Sequence, residues 1–273
     1  MSDSTRYFDE RQARQDIVEI GRRFWVQGWV AANDGNISVR ISENELICTP
    51  SGLAKGFLSP DQLIKTDLDG NLLDGYLKPS SEVTMHIECY RQRPDIRACA
   101  HAHPPTATGF ACAGYSLENC VLPEIVLALG GIPLTPYGTP GGTEIPDAIR
   151  PYLNDYDAFL LANHGCLTVG KDVFDAYYKL EATELFAKIS LTARLLGGEK
   201  PISPPQVQEL YDARPRYGVS RQTKCVHCGD EHEGACEVPS AAPKESSPAA
   251  ARHVDAQRIV EEVTRLVQEQ LRR

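Results

Sequence analysis

Residues 98–109 read ACAHAHPPTATG, a short apolar run that carries two histidines one residue apart. In a strand, side chains two residues apart lie on the same face, so His101 and His103 are predicted to converge on one side of a sheet. Two imidazoles supply part of a zinc site, because catalytic zinc uses three protein ligands and keeps one open position. The stretch therefore predicts a strand with two metal ligands, followed by a helix that begins at the prolines.

A third histidine with the expected surroundings is His164, in ANHG between an apolar strand and a glycine. Three histidines from two strands would fit catalytic zinc better than structural zinc. The competing interpretation is that these histidines are hydrogen-bonded core residues, and the spacing alone leaves both interpretations open.

The segment KPSSEVTMH, residues 78–86, places Glu82 after two serines at the start of a predicted helix. Backbone amides at a helix N-terminus and small hydroxyls suit a phosphate group. A carboxylate beside a metal suits proton transfer. Taken alone, the segment is an ordinary capping motif, and the glycine turns in DGNIS and TPSG would pass for ordinary turns, although their amides could also bind an anion.

Composition restricts the class of protein. The chain has 273 residues, of which 42% are hydrophobic and 24% charged, which suits one large α/β domain or two small ones. A net charge of −9 with scattered basic residues argues against a nucleic-acid partner. We expect no membrane segment and an intracellular location, because the N-terminus lacks an apolar stretch and no apolar run approaches about 20 residues.

Periodicity and turn residues predict alternating helices and strands up to about residue 200. Six cysteines in this part stand singly in apolar surroundings and are expected to be buried, reduced thiols. The predicted helices cover 9–31, 81–93 with Ser80 or Ser81 as N-cap, 104–114 and 174–198, and the predicted strands lie within 33–41, 45–52, 96–103, 131–137 and 158–170.

In their order along the chain, six motifs together resemble the class II aldolase family over about residues 7–217. The resemblance implies an α/β fold, with three α/β/α layers around a mainly antiparallel sheet. It also implies a homotetramer with fourfold cyclic symmetry and active sites at subunit interfaces. The motifs are GNIS at 35–38, TPSG at 49–52, PSSE at 79–82, HAH at 101–103, YGTPGG at 137–142 and NHG at 163–165.

The same resemblance implies roles for individual residues. His101, His103 and His164 would bind one Zn2+ per subunit, and Glu82 would be the acid/base and an occasional fourth ligand. The residues expected to bind the phosphate of a sugar substrate are Asn36, Thr49, Gly52, Ser80 and Ser81.

The implied reaction is zinc-dependent retro-aldol cleavage of L-fuculose 1-phosphate, with L-rhamnulose 1-phosphate as a second substrate, to dihydroxyacetone phosphate and L-lactaldehyde. Glu82 favours an aldolase over the L-ribulose-5-phosphate 4-epimerases, which carry aspartate there. The chain departs from the fuculose-phosphate aldolases at Glu124, where they have a proton-donating tyrosine, and Tyr211 and Tyr217 are other candidate donors. The alternatives are an epimerase-like enzyme and a non-catalytic scaffold similar to the adducin head domain.

From about residue 200 the sequence changes character, beginning with the proline-rich PISPPQVQEL. Residues 218–236 hold Cys225, Cys228, His232 and Cys236, which predict either a second, structural metal site or an exposed thiol cluster. Residues 237–252 form a Pro/Ala/Ser linker. Residues 253–273 predict an amphipathic helix that resembles encapsulation peptides, which dock enzymes onto bacterial microcompartment shells or cargo. The alternative is an arm that stabilises the tetramer or a coiled-coil tail. The sequence thus predicts a cytoplasmic enzyme inside a microcompartment.

Overall fold

The computed structural model describes residues 7–219, and a sheet of eight strands runs through them. The strands are β1 Asn36–Arg40, β2 Glu45–Cys48, β3 Ile64–Asp67, β4 Leu72–Asp74, β5 Ala98–Ala102, β6 Leu134–Thr135, β7 Ala158–Leu161 and β8 Gly165–Gly170. Their order across the sheet is β4-β3-β2-β1-β5-β8-β7-β6, and every neighbouring pair is antiparallel except β6 with β7. The mainly antiparallel sheet predicted from the sequence is confirmed.

Helices cover both faces of this sheet. Ile37 and Ala100 pack in one hydrophobic cluster with residues of the helices at 10–26, 105–113, 123–128 and 173–195. Cys99 and Leu167 pack in a second cluster with residues of the helices at 83–92 and 144–149. Because neighbouring strand residues point to opposite faces, the two clusters lie on the two sides of the sheet, which gives the expected α/β/α layers. The helices are α1 Glu10–Val26, α2 Val83–Gln92, α3 Pro105–Ala113, α4 Pro123–Ala128, α5 Glu144–Ile149, α6 Val173–Leu195 and α7 Pro204–Ala213.

Strand β5 lies in the middle of the sheet and is buried along its whole length. Its register pairs His101 with Asn36 of β1 on one side and with Leu167 of β8 on the other. Residue His164 lies in the short turn that joins β7 to β8. The antiparallel register therefore brings the GNIS, HAH and NHG motifs to the same end of the sheet.

Some sequence-based boundaries differ from the structure. Helix α2 begins at Val83 with Glu82 in the N-cap position, so the prediction of Ser80 or Ser81 as N-cap is wrong. The hydroxyl oxygen of Ser80 does accept a hydrogen bond from the backbone N–H of Glu82, at 3.3 Å. Among the six cysteines expected to be buried, Cys112 is exposed.

The prediction for membrane segments was tested over the described residues. Within 7–219, no helix combines the length and apolar character that crossing a bilayer requires. The cysteine and histidine cluster, the linker and the terminal helix predicted for 253–273 lie outside the described residues.

Candidate metal centre

Three histidines meet where β5 ends and β7 turns into β8. His101 lies in β5, and His103 lies one residue beyond its end. The ring centroid of His164 is 4.7 Å from that of His101 and 5.4 Å from that of His103, while the first two rings are 5.1 Å apart. One nitrogen from each ring lies within 4.8 Å of the others, a spacing that can hold a metal ion. The predicted convergence of the three imidazoles is confirmed.

The turn that carries His164 is shaped by its two neighbours. Asn163 has a φ of 54°, a left-handed conformation that asparagine adopts more readily than most residues. A Cβ atom on Gly165 would lie 2.5 Å from Cδ2 of His103 and 2.8 Å from the carbonyl oxygen of Ala102. Glycine is therefore required at position 165 for the turn to approach the end of β5.

Hydrogen bonding fixes the tautomer of His101. Its Nδ1 atom lies 2.8 Å from the carbonyl oxygen of Cys166, which can only accept a hydrogen bond. Nδ1 therefore carries the proton, and Nε2 keeps its lone pair. The Nε2 atoms of His101 and His103 are both buried without a hydrogen-bond partner. Unpartnered buried nitrogens are costly, and a bound metal ion would satisfy both.

The electrostatic environment keeps these imidazoles in the form that binds metal. Burial lowers the pKa of His101 to about 3 and also lowers the pKa of His103. Both rings are therefore uncharged near neutral pH, as metal ligands must be. Three imidazoles with converging nitrogens, two of them kept uncharged by burial, fit the donor set of a divalent transition-metal ion.

Glu82 lies against this cluster. Its Oε1 atom is 3.0 Å from Nε2 of His164, and its Oε2 atom is 3.7 Å from Nε2 of His101. The amide of Asn36 donates to Oε2 at 2.8 Å. Burial acts to raise the pKa of Glu82, but the hydrogen bond with His164 and the nearby imidazoles lower it to about 2. The carboxylate is therefore ionised at neutral pH and can accept a proton or bind a cation.

The predicted phosphate-binding residues form one group of turns beside Glu82. Pro50 and Pro79 pair in an isolated antiparallel bridge, which places TPSG next to PSSE. Gly52 has a φ of 79° and open space around it, and Ser81 is exposed. Thr49 is fully buried, and its hydroxyl oxygen accepts from the N–H of Ile37 at 3.2 Å, so only its hydroxyl proton could serve a ligand. Phosphate binding by these residues stays a prediction.

The candidate proton donors lie on elements away from the histidines in the described chain. Glu124 is exposed in the first turn of α4, a helix that packs against α6 and α7. Tyr211 lies in α7, and Tyr217 is 68% exposed near the end of the described residues. None of these three contributes to the group of histidines and Glu82 within residues 7–219.

His86 is a buried histidine that the sequence interpretation did not single out. It lies one helical turn after Glu82, and its Nδ1 atom is 2.7 Å from the hydroxyl of Ser38. That hydroxyl is also 2.8 Å from the hydroxyl of Tyr90. Glu82 and His86 are four residues apart, a spacing that places two side chains on the same face of a helix. This spacing could have indicated that His86 lies near the site.

Acid should destabilise the protein through His86. Burial lowers the pKa of His86 to about 4 from its usual 6.5. As pH falls below 6.5 the unfolded chain takes up a proton that the folded chain excludes until about pH 4, so stability decreases across that window. We expect the metal-free wild type to lose about 2 to 3 kcal/mol more than His86→Gln between pH 7 and 4.5 in urea unfolding. Equal losses would contradict this role.

Comparison with known proteins agrees with the fold. Residues 15–191 match the family described as class II aldolase and adducin N-terminal domain. This chain belongs to the class II aldolase and adducin family. The match spans β1 to β8 and therefore includes the three histidines and Glu82.

Curated relatives of similar identity carry different activities. The chain is 32% identical over 209 residues to 3-oxo-tetronate 4-phosphate decarboxylase of Escherichia coli, which covers 75% of this chain and 96% of the relative. It is also 32% identical over 209 residues to 5-deoxy-D-ribulose 1-phosphate aldolase of Bacillus thuringiensis, with 76% and 98% covered. L-Fuculose phosphate aldolase of Methanococcus maripaludis is 32% identical over 175 residues, with 64% and 94% covered.

A solved structure has the same fold and is likewise described with more than one activity. YgbL from Klebsiella pneumoniae, described as an aldolase, epimerase or decarboxylase, superimposes with a TM-score of 0.68 at 32% identity. The superposition covers 74% of this chain and 99% of YgbL. The family includes lyases, and sequence identity does not distinguish between the activities of its members.

Proposed function

We propose that this protein cleaves L-fuculose 1-phosphate to dihydroxyacetone phosphate and L-lactaldehyde by a zinc-dependent retro-aldol reaction, with L-rhamnulose 1-phosphate as a second substrate. The observation that carries the proposal is the ionised carboxylate of Glu82 at 3.0 Å from one of three converging histidines. Three imidazoles with a neighbouring carboxylate are a donor set that suits catalytic zinc. His101, His103 and His164 would hold the ion.

When bound, the metal ion supplies a Lewis acid that stabilises negative charge developing on the substrate oxygens. Retro-aldol cleavage breaks the C3–C4 bond, leaves the electron pair on C3 of the dihydroxyacetone phosphate half, and releases the proton of the C4 hydroxyl as C4 becomes the aldehyde carbon. Glu82, ionised in the free protein, would take up a proton and deliver it to C3, and in the condensation direction its carboxylate would remove it. Asn36, which donates to Oε2 of Glu82, would hold the carboxylate in place for this transfer.

The substrate phosphate would bind at the turns beside Glu82. Gly52 lies in an open left-handed turn, and the exposed Ser81 is approached by the loop that contains Gly141. Small hydroxyls and turn amides without a bulky side chain suit a phosphate group. Thr49, Asn36 and Ser80 complete the proposed site.

Decarboxylation of 3-oxo-tetronate 4-phosphate is the second candidate, and it is supported by the relatives that carry this activity. Loss of carbon dioxide from this acid also leaves the electron pair on the carbon next to the carbonyl, and protonation there also gives dihydroxyacetone phosphate. Both reactions thus need a proton delivered to the same carbon, the step proposed for Glu82. Decarboxylation needs no second group for an aldehyde, which agrees with Glu124 in place of the expected tyrosine.

Two other candidates have less support. A 4-epimerase is disfavoured by glutamate at position 82, where the resemblance leads us to expect aspartate. A non-catalytic scaffold has no need for three converging histidines with two unpartnered, buried nitrogens.

The deciding experiment offers each substrate to the zinc-loaded protein and follows dihydroxyacetone phosphate through its enzymatic reduction. We expect release from L-fuculose 1-phosphate that a chelator abolishes and zinc restores. Release from 3-oxo-tetronate 4-phosphate alone would replace the aldolase with the decarboxylase. Release from neither substrate would reject both candidates.

We also propose a homotetramer with interface active sites, located in the cytoplasm within a bacterial microcompartment. The support is the family membership and the amphipathic pattern of residues 253–273 after the linker. The same assay on a chain that ends at residue 252 tests whether this segment serves only in targeting. We expect unchanged turnover, since a targeting segment takes no part in catalysis. A large loss of turnover would show that the segment is part of the folded enzyme.

A further inference from the structure

The loop at residues 29–35 crosses the end of β5 where the two histidines lie. The carbonyl oxygen of Trp29 accepts a hydrogen bond from the N–H of His103 at 2.9 Å. At the other end of the loop, a Cβ atom on Gly35 would lie 2.8 Å from the carbonyl oxygen of His101. The loop therefore packs directly against the backbone of both histidines.

Between these two contacts the loop is held in an unusual conformation. Ala32 has a φ of 47°, which is strained for a residue with a Cβ atom. Lys55 is 2% exposed, and its Nζ atom donates to the carbonyl oxygens of Asn33 and Leu53, both at 2.7 Å. Strained backbone persists where surrounding contacts hold it, and such strain is concentrated at functional sites.

The result of this conformation is the position of Asp34. Its Oδ2 atom lies 3.6 Å from Nδ1 of His103, on the opposite side of the ring from the buried, unpartnered Nε2. His101 also has an oxygen at its Nδ1, the carbonyl of Cys166 at 2.8 Å, and an unpartnered Nε2. Each histidine from the HAH motif thus has an oxygen facing Nδ1 and an Nε2 without a hydrogen-bond partner, although the Asp34 oxygen, at 3.6 Å, lies at ion-pair distance rather than hydrogen-bond distance.

We propose that Asp34 is a positioning residue that holds His103 in the orientation and tautomer that bind the metal ion. This inference rests on the proposed metal-dependent function. The carboxylate favours a proton on Nδ1, so that the lone pair of Nε2 is directed towards the other two imidazoles. An acceptor on the second nitrogen also makes an imidazole a better metal ligand.

The test measures metal binding without substrate. Full-length wild type, Asp34→Ala and Asp34→Asn are titrated with Zn2+ against a competing chelator, and the absorption spectrum of the Co2+-loaded proteins is recorded. We expect Asp34→Ala to bind Zn2+ about 10 to 100 times more weakly and to change the Co2+ spectrum. Asp34→Asn should retain most of the affinity, because its amide oxygen can occupy the same place beside Nδ1.

A matched control removes an acidic side chain elsewhere. Asp155 is exposed and precedes β7, whereas His164 follows that strand, so Asp155 lies at the opposite end of the sheet. Asp155→Ala should have the affinity and the Co2+ spectrum of the wild type. Thermal unfolding of the metal-free proteins separates a local change at His103 from a general loss of stability.

Two results would overturn the proposal. Asp34→Ala with wild-type Zn2+ affinity and an unchanged Co2+ spectrum would show that His103 needs no support from this carboxylate. Equal weakening in Asp34→Ala and Asp34→Asn would show that the acceptor at Nδ1 is not what matters. A wild-type protein that bound no metal would instead contradict the proposed function. That result differs from the two results for the Asp34 variants, which concern only the role of this carboxylate.

Discussion

Replacing His103 with alanine is expected to reduce metal binding and turnover together. His103 is one of the three converging histidines, and its Nε2 atom is buried without a hydrogen-bond partner. Two remaining imidazoles leave the ion short of the three protein ligands of a catalytic zinc site. We expect the affinity for Zn2+ to fall more than about 100-fold, since loss of a supporting residue alone costs about 10 to 100-fold. Metal analysis after gel filtration and the dihydroxyacetone phosphate assay measure the two effects.

His86→Gln is the matched control for this substitution. His86 is also a buried histidine, but it contacts Ser38 and is not among the three converging residues. We expect this variant to keep full zinc content at neutral pH. A His103→Ala protein that retained one zinc per chain and normal turnover would rule out the three-histidine site.

Replacing Glu82 with glutamine is expected to separate metal binding from catalysis. The amide occupies the same space but cannot accept and return a proton, whereas the three histidines are unchanged. We expect zinc content to remain near that of the wild type and kcat to fall about 100 to 10,000-fold, the usual contribution of general acid–base catalysis.

Exchange of the C3 protons of dihydroxyacetone phosphate in D2O tests this role without the aldehyde half. Wild-type protein should exchange one of these protons stereospecifically, because the carboxylate of Glu82 removes and returns a proton at that carbon. The Glu82→Gln protein should show exchange close to the uncatalysed rate by NMR. Exchange at the wild-type rate would assign the proton transfer to another group.

Much of the site was predictable because its motifs are local. Strand geometry predicts that His101 and His103, two residues apart, lie on one face of the sheet. The glycine after His164 indicates a closely packed turn. The structure brings the three histidines together. The resemblance to the class II aldolase family also anticipated Glu82 beside them. The mainly antiparallel sheet was implied by the same resemblance, and the structure confirms it.

Other features depend on tertiary contacts that sequence patterns do not contain. Asp34 reads as an ordinary turn residue in DGNIS, and its approach to His103 requires the loop to cross the end of β5. Lys55 reads as a surface lysine, yet it is buried by a loop 22 residues earlier in the chain. The N-cap of α2 is Glu82, whose side chain faces the imidazoles and makes no cap hydrogen bond.

The close packing at Gly165 also bears on how this fold could lose its chemistry. A single added methyl group there would lie 2.5 Å from Cδ2 of His103, 2.8 Å from the carbonyl oxygen of Ala102 and 3.3 Å from Cε1 of His101. Any side chain at this position would therefore displace the turn or the two rings, and the three histidines would no longer meet as they do here. Glycine at this position is consequently a simple marker of family members that can bring the three histidines together.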